Sequence, residues 1–433
     1  MDYSKELLEF IKKSPSSFHS IQSIKEILTS DGFEELDETK IFSLSKGKKY
    51  FVTRNQSSII AFKIGEKLDK YSFNMVFSHS DCPSFKVKPL PSMDGKNYTK
   101  INVEGYGGMI CSSWFDRPLS LAGRVMIKKD DTLQSKLINF DRNLLTIPNV
   151  AIHMNRNINS GYSYNLAVDM MPTISEDKID LYELIAEELK VKKEEISLFD
   201  LYLYNHQEGY FWGIKNEYIS SPKLDDLQCA YTTLKGFIKG NNKNTISIYA
   251  CFDNEEVGST TRQGANSTFL EDILYRISNS LGFSKEEHMC ALSSSFAISA
   301  DNAHAVHPNH PELSDPLNNV FMNKGIVIKN NAAQTYTSDS FSSSIFMKIC
   351  DKINVPYQFF NNRSDIRGGG TLGNISCIHA SIPTVDIGLA QLAMHSCNET
   401  AGALDNEYMV RAIEEFFNLK IQIDANGNVS FVK

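Results

Sequence analysis

The 433-residue sequence has eight cysteines and no CxxC pair; they are scattered at 82, 111, 229, 251, 290, 350, 377 and 397. That argues against a thiolate zinc cage and predicts reduced thiols in a cytoplasmic protein. No apolar run approaches the roughly 20 residues needed to span a bilayer. The start, MDYSKELLEFIKKSPSSFHS, reads as an amphipathic helix with no signal-peptide cleavage pattern. No membrane contact is therefore expected. A basic stripe is also missing. The formal net charge is −8, and Lys46, Lys48 and Lys49 read as a solvated turn, which argues against a nucleic-acid partner. There is no GxSxG nucleophile elbow, no GxxxxGK[ST] phosphate loop and no HExxH.

What is present is ordinary globular composition, 42% hydrophobic and 22% charged, in a chain too long for one small core. Residues 4–12 and 19–30 read as helices, with Ser16 and Ser17 placed to cap the second. KIFSLS, YFVTRNQSSIIAFKIG and FNMVFSHSD read as strands, and Pro83, Pro89 and Pro91 are expected to end this regular stretch. Residues 93–218 read as a separate, mainly β unit: INVEGYGGMICSSWF, LAGRVMIKK, LLTIPNVAIHMN and SLFDLYLYN as strand-like pieces, 178–192 as a charged helix. From 220, helices alternate with strands. LDDLQCAYTTLKGFIKG is a helix ending near Gly240, NTISIYACF a strand, 267–281 a helix, and SSSFAISAD, KGIVIKN, YQFFNN and IPTVDIG strands. Helices at 340–350 and 401–418 complete the pattern. The prediction is an α/β fold, with an α/β layer formed by 1–90 and 220–433 and a β-rich unit inserted at 91–219.

Candidate chemistry falls at the strand ends, where open α/β sheets place their sites. The run ISIYACFDNEEVGS ends in adjacent acids, Glu255 and Glu256. Two carboxylates that close repel, and a divalent metal would hold them, one as ligand and one as proton carrier. His79 and Asp81 follow an apolar strand at a spacing that points both the same way; an imidazole beside a carboxylate suits zinc, while a turn is the plainer alternative. Asp225 and Asp226 open a helix, where an acid is by default a cap. Asp301 ends a strand and precedes His304, His307 and His310, which read as a metal cluster or a polar loop. His395 reads equally as a ligand or a packed core residue. Gly368–Gly373, GGGTLG, has the form of GxGxxG, but the polar stretch before it and the strand-like NISCIHA after it do not suit a dinucleotide fold. Anion binding and a tight turn both stay open for it. Together, His79, Asp225, Glu256, Asp301 and His395 match a two-metal hydrolase plan, with Glu255 free as general base.

These motifs resemble the M18 metallopeptidase family, the aspartyl aminopeptidase and aminopeptidase I group. The likeness runs from SPSSFHS at 14–20 through HSDCPSFKVKP, WFDRPLSLAGRV, IPNVAIHMNRN, SPKLDDLQC, DNEEVGS, SADNAHAVHPNHPE, KGIVIK and GGGTLG to QLAMHS at 391–396. The resemblance implies a mixed-sheet α/β/α metallopeptidase domain with an inserted, mainly β oligomerisation domain. It implies two divalent metal ions per subunit, zinc first and cobalt or manganese next. By motif, the ligands are His79, Asp225 as the bridge, Glu256, Asp301 and His395. Asp81 would orient His79, and Glu255 would be the base. LDD departs from the family's usual LDN, so Asp226 adds charge beside the site. The resemblance gives His153 an oxyanion role in a neighbouring subunit, and substrate contacts to His304, Lys329 and Gly370. It implies removal of N-terminal residues from peptides with a free N-terminus, acidic ones if Lys329 pairs with their side chains, and a tetrahedral homododecamer. An aminopeptidase of broad or neutral specificity, or another two-metal amide hydrolase, is the alternative.

Overall fold

The computed structural model describes residues 2–424 and 426–432. Its centre is a mixed nine-stranded sheet. From one edge, the strands are Glu34–Leu36, Lys49–Arg54, Ser58–Ile64, Ile246–Phe252, Phe73–His79, Phe296–Ala300, Thr384–Gly388, Ile326–Lys329 and Tyr357–Phe360. The four in the middle, Ile246–Phe252, Phe73–His79, Phe296–Ala300 and Thr384–Gly388, are mutually parallel. Strands covered on both faces have no polar side to alternate with, which is why FNMVF and ISIYACF read as continuous apolar runs. Within them the period of two still sorts side chains. Ile246, Ile248, Ala250 and Phe252 face one layer, and Tyr249 and Cys251 the other.

The helices Tyr3–Lys12, Ser17–Ser30, Leu224–Lys239, Ser340–Lys352 and Asp405–Asn418 cover the Tyr249 face. The helices Phe269–Ser280, Lys285–Ser293 and Leu372–Ala380 cover the other. The α/β/α layering expected from the sequence is present. A six-stranded antiparallel sheet forms a third core, in the order Thr132–Asn139, Leu119–Lys129, Ile196–Asn205, Ser84–Asp94, Thr99–Tyr106, Thr173–Ser175. A small five-stranded sheet joins Tyr210–Trp212 and Tyr218–Ser221 to Glu399–Gly402, Ala390–Leu392 and Ala303–His304. Among the described residues no helix is long and apolar enough to cross a membrane.

Several local expectations fail for identifiable reasons. KIFSLS is not a strand: Glu34–Leu36 takes the sheet edge beside Lys49–Arg54, and Ile41 is left 98% exposed. Pro89 and Pro91 do not end regular structure. The strand Ser84–Asp94 passes through them with a register break between Val87 and Ser92, a bulge that tolerates the missing N–H groups. LLTIPNVAIHMN makes only isolated bridges, through Leu145, Thr146 and Ile147, and then turns. NISCIHA is helical. Leu372, Gly373, Ser376 and Ala380 are its buried face, and the 67% exposed Ile378 had disguised the period. Ser16 occupies the cap position of Ser17–Ser30, but its hydroxyl bonds to His19 Nδ1 rather than to the backbone.

Candidate metal centre

The four parallel central strands deliver their C-terminal ends to one edge of the sheet. His79 is the last residue of its strand, and Asp301 follows Ala300 directly. Glu255 and Glu256 lie in a short turn just beyond Phe252, entered through Asn254 with a left-handed φ of 63°. His395 lies in the loop between Ala390–Leu392 and Glu399–Gly402, itself left-handed at φ 65°. Asp225 comes from the opposite direction, in the first turn of Leu224–Lys239. There it and Asp226 leave helical dihedrals and share a cis peptide bond.

Asp225 stands between two imidazoles: one carboxylate oxygen is 3.6 Å from His79 Nε2 and the other 3.4 Å from His395 Nε2. Glu256 Oε2 is also 3.4 Å from His395 Nε2. Donor atoms of His79, Asp225, Asp226 and Asp301 lie within 4.8 Å of one another, as do those of Asp225, Glu256 and His395, and those of His79, Glu255 and Glu256. Two overlapping groups that share Asp225 make a dinuclear metal site.

The remaining bonds fix ring orientation. His395 Nδ1 lies 2.8 Å from the Gly108 carbonyl, leaving Nε2 free to ligate. His79 Nδ1 is 3.1 Å from the Asp81 main-chain oxygen and 3.5 Å from its carboxylate. The Asp81 carboxylate has a further task. It accepts from the N–H groups of Glu255 (3.1 Å) and Glu256 (3.2 Å) and from the Tyr106 hydroxyl (2.7 Å). It therefore clamps the turn that carries both glutamates.

The electrostatics favour a cation. Burial, with the neighbouring carboxylates adding to it, pushes Glu255 up to about 8 and Asp301 up to about 6, and raises Glu256 and Asp226 well above the usual carboxylate range. Burial lowers the His395 pKa, but contact with Asp225 outweighs it and raises the ring to about 9. Acids that must otherwise hold protons are acids that a divalent ion would discharge. Asp225 Oδ1, Asp226 Oδ1 and Glu256 Oε1 are buried without a hydrogen-bond partner, oxygen valences that fit metal ions.

Of the other predicted residues, His304 and Lys329 lie near this edge, on Ala303–His304 and at the end of Ile326–Lys329. Lys329 is 2% exposed, with its Nζ 3.6 Å from Asp301 and over the Tyr336 ring. Gly370 is exposed just before the helix Leu372–Ala380. Within that glycine run Gly373 has a packing reason, since a Cβ there would lie 2.7 Å from the Asp386 carboxylate. His153 is not brought to the cluster; it sits on an exposed loop among the exposed Val150, Ile152 and Met154. His307 and His310 lie together with tilted rings, their centroids 5.3 Å apart. They join no three-donor group among the described residues, so the histidine metal cluster is not formed. Asp226 is fully buried, and its Oδ2 accepts from the His79 N–H at 3.1 Å.

Sequence reasoning missed two residues. Buried Glu399 accepts from the N–H of Asp225 (2.9 Å) and from that of His395 (2.6 Å), tying the helix start to the histidine loop. Tyr106 links Asp81 to Asn254, whose amide donates to its hydroxyl at 2.8 Å. Neither carries a local signal, since an acid entering a strand and a tyrosine ending one are both commonplace.

This geometry has counterparts. The profile of "Aminopeptidase I zinc metalloprotease (M18)" matches residues 10–417. The chain belongs to the M18 family of metallo-aminopeptidases. It is 47% identical over 427 residues to the "Probable M18 family aminopeptidase 2" of Clostridium novyi, covering 96% of this chain and 99% of that one. It is 36% identical over 471 residues to the "Aspartyl aminopeptidase" of Dictyostelium discoideum, covering 97% of each. Among solved structures, Ape4 in its complex with Nbr1 superposes with a TM-score of 0.93 at 35% identity, over 96% of this chain and 85% of that chain. The S. cerevisiae mApe1 dodecamer superposes with a TM-score of 0.84 at 27% identity, over 96% of each. The M18 architecture of this metallo-aminopeptidase therefore extends over nearly the whole chain.

Proposed function

We propose that this M18 aminopeptidase releases acidic N-terminal residues, Asp or Glu, from peptides, uses two zinc ions per subunit, and works in the cytoplasm as a homododecamer. The observation that carries the reading is Asp225 placed between His79 and His395, with Glu255 held alongside by Asp81. His79 and Asp301 would hold one ion, Glu256 and His395 the other, and Asp225 would bridge them. Imidazole and carboxylate donors suit zinc, with cobalt or manganese next. When bound, such ions supply Lewis acidity and a nucleophile at neutral pH.

The rest is the work of the chain's own groups. The Glu255 carboxylate takes the proton of the attacking water and returns it to the leaving amine. The free amine of the peptide is received by the carboxylates of the centre, which limits cleavage to the first residue. His304 and Gly370 contact the substrate. His153, exposed on its loop, reaches the oxyanion of a neighbouring subunit. The acidic preference is supported by the name of the Dictyostelium relative. The assembly is supported by the yeast dodecamer, and a reducing compartment by eight free cysteines.

The test is hydrolysis of a panel of N-terminal aminoacyl substrates by the metal-replete enzyme, with Glu255→Gln as control. Preference for Asp or Glu is expected. Preference for Leu or Met would leave the metal chemistry standing and make this an aminopeptidase of neutral or broad specificity.

A further inference from the structure

The glycines Gly368–Gly370 are exposed or half-buried, yet the residue that follows them is fixed to the centre of the main sheet. Asp386 lies within the strand Thr384–Gly388 and is fully buried. Its Oδ1 accepts from the Thr371 hydroxyl at 2.8 Å. Its Oδ2 accepts from the Thr337 hydroxyl at 2.9 Å and from the Thr337 N–H. Its main-chain N–H donates to the Ser338 hydroxyl at 2.9 Å. One residue thus fastens two loops to one strand, the loop that leaves Ile326–Lys329 and the loop that leaves Tyr357–Phe360. We propose that Asp386 is a positioning residue for the peptidase reaction: its carboxylate latches the two loops together and so holds Gly368–Gly370 at the mouth of the metal centre. This role rests on the reading above that Gly370 contacts the substrate.

Local chemistry explains why a latch is needed. A Cβ at Gly369 would meet nothing within 4 Å, and one at Gly370 would meet only the Thr335 main-chain oxygen, at 3.8 Å. Glycine has the widest backbone freedom of any residue, so the course of this run is set by its anchors. Thr371 is the anchor on the C-terminal side. It occupies the cap position of the helix Leu372–Ala380, but its hydroxyl makes no bond to that helix and goes to Asp386 instead. The carboxylate also packs on the first helical turn, where a Cβ at Gly373 would come within 2.7 Å of it. The negative charge that a helix start attracts is thus supplied from inside the protein. Gly368 and Gly369 share a cavity wall with His304 and with Met394, the residue before His395. A slip of the loop therefore alters the approach to the metal centre.

The experiment uses the metal-replete enzyme and its Thr371→Val, Thr371→Ser and Asp386→Asn variants. Val keeps the shape of Thr and, with no cap bond to lose, removes only the bond to Asp386. In Thr371→Val, KM should rise about 10-fold, the loss of a hydrogen bond to a charged group, with kcat changed less than about threefold. Glutamyl and leucyl anilides should suffer alike, because a glycine touches a peptide only through its main chain. Backbone hydrogen exchange over 366–371 should quicken about 10-fold while Phe73–His79 stays protected, and zinc content measured by mass spectrometry should not change. Thr371→Ser keeps the hydroxyl and should restore both KM and protection. Asp386→Asn should reproduce Thr371→Val and add little when combined with it; if it fails to fold, the two Thr371 variants decide the matter. If Thr371→Val keeps wild-type exchange and KM, the latch is refuted and the role of Gly370 is untouched. If exchange quickens but KM does not move, the loop is no substrate contact, and the positioning role falls with that reading.

Discussion

Replacing Glu399 by Gln probes the part of the centre that the sequence concealed. Each Glu399 oxygen accepts one backbone N–H, Asp225 at 2.9 Å and His395 at 2.6 Å. Gln is the same size but offers one acceptor oxygen and an amide that can only donate. One of the two N–H groups therefore faces another donor in a buried site. An unsatisfied group of this kind costs about 1–3 kcal/mol, or roughly 5- to 150-fold in an equilibrium. The cost falls on metal binding because both N–H groups belong to proposed ligand residues. His395 also holds a left-handed backbone, φ 65°, which a non-glycine residue keeps only when its surroundings over-determine it. Glu399 and the Gly108 carbonyl supply that constraint. The assay is calorimetric titration of metal-stripped protein with Zn²⁺. At least one of two ions should bind about 10- to 100-fold more weakly in Glu399→Gln, in the range seen when partners of metal ligands are removed. If both ions bind with wild-type affinity, the argument that Glu399 positions the ligands is refuted.

Other consequences are open to direct measurement. Glu255→Gln should lower kcat by about 10²- to 10⁴-fold, the usual contribution of a positioned base, while zinc content measured by mass spectrometry stays at the wild-type level. Tyr106→Phe removes the hydroxyl between Asp81 and Asn254 and should reduce kcat/KM by roughly tenfold, since each such bond contributes about 1 kcal/mol or more; unchanged kinetics would show that Asp81 holds the glutamate turn unaided. His153→Ala should be nearly inactive in the assembled enzyme, and activity should vanish on dilution through the dissociation range; full turnover by isolated subunits would rule out a role in a neighbouring subunit. Burial, with Lys223 adding to it, lowers the His19 pKa from 6.5 to about 4. Above pH 6.5 the ring is neutral in both folded and unfolded chains. As pH falls from 6.5 to 4 only the unfolded chain takes up the proton, so up to about 3 kcal/mol of stability is lost in that window. His19→Gln should flatten this part of the denaturation profile relative to the wild type, and an identical slope would contradict it.

The sequence by itself determined the layer architecture and placed candidate ligand residues at the ends of its strands. Strands buried on both faces are largely apolar, so FNMVF, ISIYACF and the FAISA part of SSSFAISAD were legible as strands, and so were the polar residues His79, Glu255, Glu256 and Asp301 at or just beyond their ends. Where packing outranks local pattern, the reading failed. KIFSLS is apolar enough for a strand but has no sheet edge to join, NISCIHA hides a helical period behind one exposed isoleucine, and two prolines are absorbed by a bulge. The tertiary structure alone decided how the buried charges are placed. Asp226 accepts from the His79 N–H, and Lys329 is set 3.6 Å from Asp301. Glu399 follows His395 closely in sequence yet lies far from Asp225, and only the fold brings its two oxygens to both backbones. The reason is physical: residue type and strand period are local properties, whereas the partner that satisfies a buried charge arrives from any distance along the chain.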